Sequence, residues 1–391
     1  MHNYLSLLFL IFLFIPLFAL NLYSFGETHH IYLANSFLQG SLSLVQLPQT
    51  LTDFAYFNGH YYWPQGLFPA VLLAPFVWIF SLNFQESFLK FPLTVINFWF
   101  VYKIALSLKL QKIKAIFISI FFIFGSVYTP VAAIPLSVYF SQVVTVTILL
   151  WAIYEFLNSK RYFLIGTLIA LAFLTRATTI FASAFFLIPL LKKPLSAVNG
   201  LKFIIPITTA LLLFGYYNYS RFGNILETGY HYQADGENPA GKDFTNRKLI
   251  GLFSPKHIPT NLYYMLLKTP DPATNADSHS LQFPFAKTDY YGLSIFFTSP
   301  ILFLLFRTNL KEQLSKIAMI TCLLIALPII TYAGIGYFQI GYRYALDFLP
   351  FLLIPLAPAV KKVKLRNIQI LIALGVFITW FFIIQTLVDP T

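Results

Sequence analysis

Hydrophobic and polar positions fall in long blocks along this chain rather than in short periods. Apolar runs close to the length of a membrane-crossing helix recur from end to end: residues 4–23, 88–108, 115–130, 135–157, 203–219, 317–336, 345–360 and 367–387. Shorter runs lie at 66–82 and 293–306. About 20 apolar residues suffice for a helix to cross a bilayer, and in lipid a helix satisfies its own backbone. Residues 162–191 are apolar except for Thr175, Arg176, Thr178 and Thr179 in the middle, so they read as a helical hairpin or as one broken helix. The pattern predicts an all-α polytopic membrane protein of about eleven or twelve transmembrane helices, in one integral membrane domain over 1–391. Two stretches interrupt it: a first outer loop at 24–65 and a long outer loop at 220–292. The first apolar run has no basic residues before it and is long for a signal segment, so it reads as a retained helix with Pro16 near its outer end.

Composition supports this reading and removes other classes. The chain is 58% hydrophobic and 10% charged, where a soluble domain carries about 25% charged residues. The net charge of +12 sits mostly in short loops between apolar runs, which is the positive-inside pattern and points away from nucleic acid. Cys322 is the single cysteine, so no intrachain disulfide forms. No internal repeat is visible, which weakens an inverted-repeat transporter reading. Residues 24–65 contain no Lys or Arg and should lie outside, as should 220–292. Between 66 and 191 two arrangements stay open. Either 66–82 does not span, or 162–191 is one broken helix and the basic residues at 109–114 and 160–161 face outward.

Candidate chemistry gathers first in the opening loop. Glu27 follows the first apolar run, where a carboxylate can act as a general base or help ligate a divalent cation. The plain alternative is a solvated acid closing a helix. Residues 31–44 place apolar side chains at Ile31, Leu33, Ala34, Phe37, Leu38 and Leu42, a spacing that predicts an interfacial helix holding Glu27 at the membrane surface. Asp53 lies in LTDFAYFNGHYYWP, where Asn58-Gly59 reads as a tight turn. A turn aspartate is the heavier reading there; Asp53 and His60 are kept as substrate contacts. His29 and His30 are adjacent, point about 100° apart on a helix and do not share one ion readily.

Three arginines stand out elsewhere. Arg176 lies inside an apolar stretch, where a charge marks a cavity or function or else snorkels from a hairpin turn. Arg221 falls just past a helix end. Arg343 and Asp347 are four apart in QIGYRYALDFLP and can pair on one helix face. Arginine suits a phosphate because its planar fork offers several donors and keeps its charge. Gly251–Pro270 reads as a cap over the opening loop. The sequence has no Gly-rich phosphate loop, Cys/His metal motif or Ser/His/Asp arrangement, so a cation requirement has no clear ligand set behind it.

In their order along the chain, these stretches resemble the GT-C superfamily, polytopic glycosyltransferases that use lipid-phosphate-linked sugars. The resemblance is carried by GETHHIYLANSFLQGSL, then NGHYYWPQGLFPAVLLAP, then GTLIALAFLTRATT and GYRYALDFLPFLLIPLAP. Within the superfamily the chain is most similar to bacterial relatives of protein mannosyltransferases and of the lipid A aminoarabinose transferase. The resemblance implies that Glu27 is the catalytic base, deprotonating an acceptor that attacks the anomeric carbon with loss of polyprenyl phosphate. It also implies basic residues near the donor phosphate, with Arg176, Arg221 and Arg343 as candidates. Two departures stand against the pattern. Many members carry Asp where this chain has Glu27, one methylene longer. Many also carry a second acid in the outer turn before the fifth span, where TPVAAIPLSVYFSQ (129–142) offers Tyr139, Ser141 and Gln142.

The expectation is therefore a glycosyltransferase in the cytoplasmic (plasma) membrane with its active site outside. It would take a polyprenyl-phosphate-sugar donor and a protein, lipid or glycan acceptor. The rivals are a transporter or flippase for a lipid-linked or anionic substrate, and a non-catalytic member of the same fold.

Overall fold

The computed structural model describes residues 2–51, 53–191, 197–233, 249–275 and 279–388. Lys192, Lys193 and the parts of the long loop at 234–248 and 276–278 lie outside the described residues. The architecture is all-α with two small hairpins. Among the described residues five helices are long and apolar enough to cross a membrane by length and composition. These are α4 (Glu86–Ser107), α7 (Ser137–Asn158), α10 (Ala197–Phe222), α13 (Gln313–Thr331) and α15 (Leu365–Val388).

The remaining elements, in chain order, are α1 (His2–Tyr23), α2 (His29–Leu38), α3 (Phe68–Phe80), α5 (Lys112–Phe124) and α6 (Tyr128–Ala133). After them come α8 (Tyr162–Thr175), α9 (Ser183–Leu191), α11 (Ile258–Leu262), α12 (Ile295–Thr298) and α14 (Leu349–Lys362). Strands β1 (Ala55–Phe57) and β2 (His60–Tyr62) form one antiparallel hairpin, β3 (Asp271–Thr274) and β4 (Leu281–Lys287) the other.

Several apolar runs are built as shorter pieces, each with a local cause. The run 115–130 becomes α5 and α6, with Gly125 as the C-cap of α5. The run 293–306 is the four-residue α12 and a 3-10 segment opening at Pro300. Residues 345–360 begin as a 3-10 turn over Arg343–Asp347, and α14 follows with Pro350 in its first turn, where its missing N–H costs nothing. Residues 162–191 form a broken helix: α8 ends at Thr175, Arg176 is extended, and a 3-10 turn leads to α9.

Packing divides the chain into two compact units, 1–97 with 132–245 and 98–131 with 246–391, the division passing through α4 and α6. In the first unit α7 is the core helix: 83% of its apolar window is buried, against 17% for α10. Helix α8 packs on both α7 and α10, and Phe156, Phe185, Phe186 and Phe203 join them through ring contacts. In the second unit α13 packs on α14 and α15 on α5. Lys114, from the basic cluster at 109–114, donates its Nζ to the carbonyls of Val360, Lys361 and Val363 at 3.0, 2.9 and 2.9 Å. A cation there satisfies acceptors that the end of α14 leaves open.

Candidate active site

The first-unit site is built where the ends of α1, α2, α4 and α7 meet. Helix α1 stops at Tyr23 and the chain runs through residues 24–28 against the turn at 134–137. The approach is close enough that a Cβ on Gly26 would stand 2.1 Å from the Pro135 carbonyl oxygen, so only glycine fits. Glu27 donates its backbone N–H to that same carbonyl at 3.0 Å. Its Oε2 accepts the backbone N–H of Ser137, the first residue of α7, at 3.3 Å. The carboxylate thus sits at the positive end of a 22-residue helix while its side chain stays 30% exposed.

Behind it lies a buried polar relay. The N-cap Thr28 makes no side-chain cap, so the first N–H groups of α2 find partners on other helices. His29 N–H donates to Ser137 Oγ at 2.8 Å and His30 N–H to Glu86 Oε1 at 2.8 Å. Ser137 Oγ donates in turn to Glu86 Oε1 at 3.2 Å. Glu86 opens α4 and is buried, and among the described residues its Oε2 has no hydrogen-bond partner. One turn on, the buried Lys90 donates to the Ile134 carbonyl. His30 Nε2 pairs with Ser141 Oγ at 2.7 Å, and His29 Nδ1 stands 3.8 Å from Glu27 Oε2.

Burial holds both imidazoles neutral at physiological pH. His29 is lowered to about 4 by desolvation; His30 is lowered to about 3 by desolvation first and then by the neighbouring His29. The histidines therefore serve as neutral groups that hydrogen-bond and pack against aromatic rings.

The hairpin is locked beneath α2 by rings. Asn58 and Gly59 both take positive φ, 48° and 81°, and close the predicted two-residue turn. Phe54 and Trp63, both fully buried, flank it; His29 meets Phe54 edge to face at 4.6 Å and Trp63 at a tilt at 4.7 Å, and the two rings tilt against each other at 5.1 Å. Arg221 reaches the same place from the end of α10. Its Nη1 donates to the Trp63 carbonyl at 2.9 Å and its Nη2 to Asn218 Oδ1 at 2.8 Å. Its guanidinium carbon lies 3.8 Å from the Tyr217 ring centre and 4.7 Å from that of Phe222. Gly66, just after the hairpin, presses onto the end of α8, where a Cβ would stand 2.3 Å from the Leu174 and Thr175 carbonyl oxygens. That contact brings residue 66, just past the first outer loop, against the end of α8, one residue before the half-buried Arg176.

Asp53 takes positive φ (67°) and its carbonyl accepts Gln233 Nε2 at 2.9 Å, so its backbone has an architectural duty. His60 is exposed on β2. The predicted interfacial helix is shorter than 31–44, ending at Leu38 before Gly40 at φ 74°. Its Ile31, Leu33 and Ala34 are buried against protein, α2 packing on α3, and Leu38 stays exposed. In the second unit Arg343 and Asp347 are both buried in one 3-10 turn, with Arg343 over the Tyr344 ring at 4.8 Å. Lys268 of that unit, also buried, contacts both Asp271 oxygens at 2.8 and 2.7 Å and Asp289 at 3.4 Å. Among the described residues no three His, Cys, Asp or Glu side chains gather as a metal site.

Reading the sequence did not find Glu86, Lys90 or Ser137. The available signal was a Glu-x-x-x-Lys spacing inside an apolar run, which puts two ionisable groups on one helix face at a depth where charge is costly. The turn before α7 lacks an acid of its own, and Glu86 reaches its Ser137 from another helix.

The crystal structure of the Archaeoglobus fulgidus oligosaccharyltransferase in the apo form is similar to this chain over 96% of its length, at 14% identity and a TM-score of 0.44. The chain spans about half of that protein, 54%. No family model matches the chain, and no curated protein does.

Proposed function

We propose that this chain is a membrane glycosyltransferase of the GT-C kind, with Glu27 as general base and a polyprenyl-phosphate-linked sugar as donor. The observation that carries the reading is the state of Glu27. It is the partly exposed carboxylate of a cluster whose other acid, Glu86, is buried, and a backbone N–H at the start of α7 orients it. A base needs that combination: access to the acceptor and a fixed direction. The base takes the proton of an acceptor hydroxyl or amine, the acceptor attacks the anomeric carbon, and polyprenyl phosphate leaves with the bonding pair.

Arg176 is the candidate for the carrier phosphate in the first unit, and Arg343 oriented by Asp347 in the second. Arg221 is bound to Trp63 and Asn218, so its role in this reading is to hold the hairpin that carries His60 and follows Asp53. The acceptor is a protein, lipid or glycan, and the site faces outside the plasma membrane.

Purified protein in lipid, given polyprenyl-phosphate sugars of several kinds, should release polyprenyl phosphate. Glu27→Gln should lower that release by about 10²–10⁴-fold, the usual worth of a general base, with an unchanged thermal midpoint. Equal release by both proteins defeats the assignment of the base. A transporter or flippase is the second reading, favoured by Glu86 and Lys90 buried within a candidate span. Substrate moved across vesicles without carrier release would select it.

A further inference from the structure

The second hairpin carries a group of large apolar side chains that the proposed transferase site does not use. Leu281, Phe283 and Phe285 are 61%, 85% and 57% exposed. The two phenylalanine rings meet edge to face at 6.1 Å, so they share one side of β4, and Leu281 precedes Phe283 by the two residues that keep a strand side chain on the same face. Phe285 takes φ 71°, a backbone region a bulky side chain rarely adopts, and it holds that strained conformation while its ring remains outside. A group of exposed apolar side chains sharing one side of a strand calls for an apolar occupant.

The fold says what that occupant is. Gln385 Nε2 donates to the Ala286 carbonyl at 3.2 Å, tying β4 to helix α15 three residues before its end at Val388. Helix α15 is one of the five candidate membrane spans, and its 24 residues exceed the roughly 20 needed to cross. Its last turn still exposes Ile384, Leu387 and Val388. Beside its other end lie Lys361, Lys362, Lys364 and Arg366, the positive-inside mark, so Gln385 belongs to the opposite boundary. Lys287 follows Phe285 by two residues and is exposed, placed to meet lipid phosphate while the rings lie below.

We propose that the β3–β4 hairpin is a membrane-interface anchor, with Leu281, Phe283 and Phe285 inserted at the lipid headgroup boundary beside the end of α15. The partner is the bilayer itself, through the aromatic and aliphatic side chains that favour this depth. The anchor would hold the extramembrane segment between α11 and α12 at a set height, whatever reaction the first unit performs.

The test uses the full chain in phosphatidylcholine–phosphatidylglycerol nanodiscs. Single cysteines replace Leu281, Gln282, Phe283, Phe285 and Lys287 in turn, in a Cys322→Ser background, and carry a bimane label. Labels at 281, 283 and 285 should be quenched several-fold more by doxyl-labelled lipid than by aqueous iodide. The label at 282 should show the reverse, and the label at 287, at the headgroup level, should be quenched by both. Iodide reaching 283 and 285 as freely as 282 overturns the proposal. Protection of 283 and 285 from both quenchers also overturns it, since a protein surface or a second copy would then be the cover. Leu281→Cys removes no aromatic ring and keeps the test open if a phenylalanine variant fails to fold.

Discussion

Glu27 and Glu86 stand within one hydrogen-bonded group and differ in access to solvent and in the donors they accept. Glu27 is partly exposed and held by one N–H of α7; Glu86 is enclosed and accepts two donors on one oxygen. Replacing Glu86 with Leu leaves the His30 N–H and the Ser137 hydroxyl unpaired in the interior. Each orphaned group costs about 1–3 kcal/mol, so the thermal midpoint in detergent should fall sharply, whereas Glu27→Gln should leave it unmoved. The histidines give a pH dependence with a definite sign. Their folded values, about 4 and about 3, lie below the unfolded value of 6.5, so the unfolded chain binds more protons between these limits. Stability is therefore full above about pH 6.5 and falls on acidification through that window, by up to about 1.4 kcal/mol per pH unit for each imidazole. The titratable groups around them are Glu27, Glu86 and Lys90, and a protonated His29 would regain part of the loss through Glu27 at 3.8 Å. Limited proteolysis of the 24–65 loop between pH 7.5 and 5 should show accelerating cleavage, and His30→Gln should flatten the response.

The hairpin β1–β2 is the element that turns a loose outer loop into a rigid wall. Its turn was written in the sequence, because Asn-Gly tolerates the positive φ values that such a turn requires. Its docking was not, because Phe54, Trp63, His29 and Arg221 come from three separate stretches and meet through tertiary packing. Trp63→Ala removes a fully buried ring and should cost about 3–5 kcal/mol. Arg221→Lys keeps the charge but loses the planar fork that reaches Trp63 and Asn218 together, so it should loosen the hairpin without restoring stability. Thermal unfolding in lipid, read alongside proteolysis at residues 58–59, checks both. Stability lost with donor affinity retained would assign Arg221 to architecture.

At the scale of the whole chain, burial grades the helices. Amide hydrogen exchange should be slowest along α7, enclosed on most sides, and faster in the 24–65 loop and the β3–β4 hairpin, which expose more backbone. Exchange in α7 as fast as in the hairpin would contradict α7 as the core helix of its unit. The all-α character and the membrane spans were legible as blocks of apolar residues, since each helix needs only its own hydrogen bonds and an apolar surface to persist in lipid. The position of Glu27 was visible too, as an acid four residues past the first apolar run, and its role as base stands as proposed.

What the residues alone could not state was who their neighbours would be. Glu86, Lys90 and Ser137 form the interior of the cluster although 51 positions separate Glu86 from Ser137. A carboxylate at the head of an apolar run reads the same whether it faces water or the first turn of another helix. That difference is decided by which helix ends are brought together, through contacts such as Gly26 on Pro135 and Gly66 on the end of α8. Composition and periodicity therefore determined that this chain forms apolar helices and where its polar loops fall. Tertiary structure alone decided which acid would be buried, which would stay accessible, and which rings would be left for the bilayer, because burial belongs to the neighbours a residue acquires.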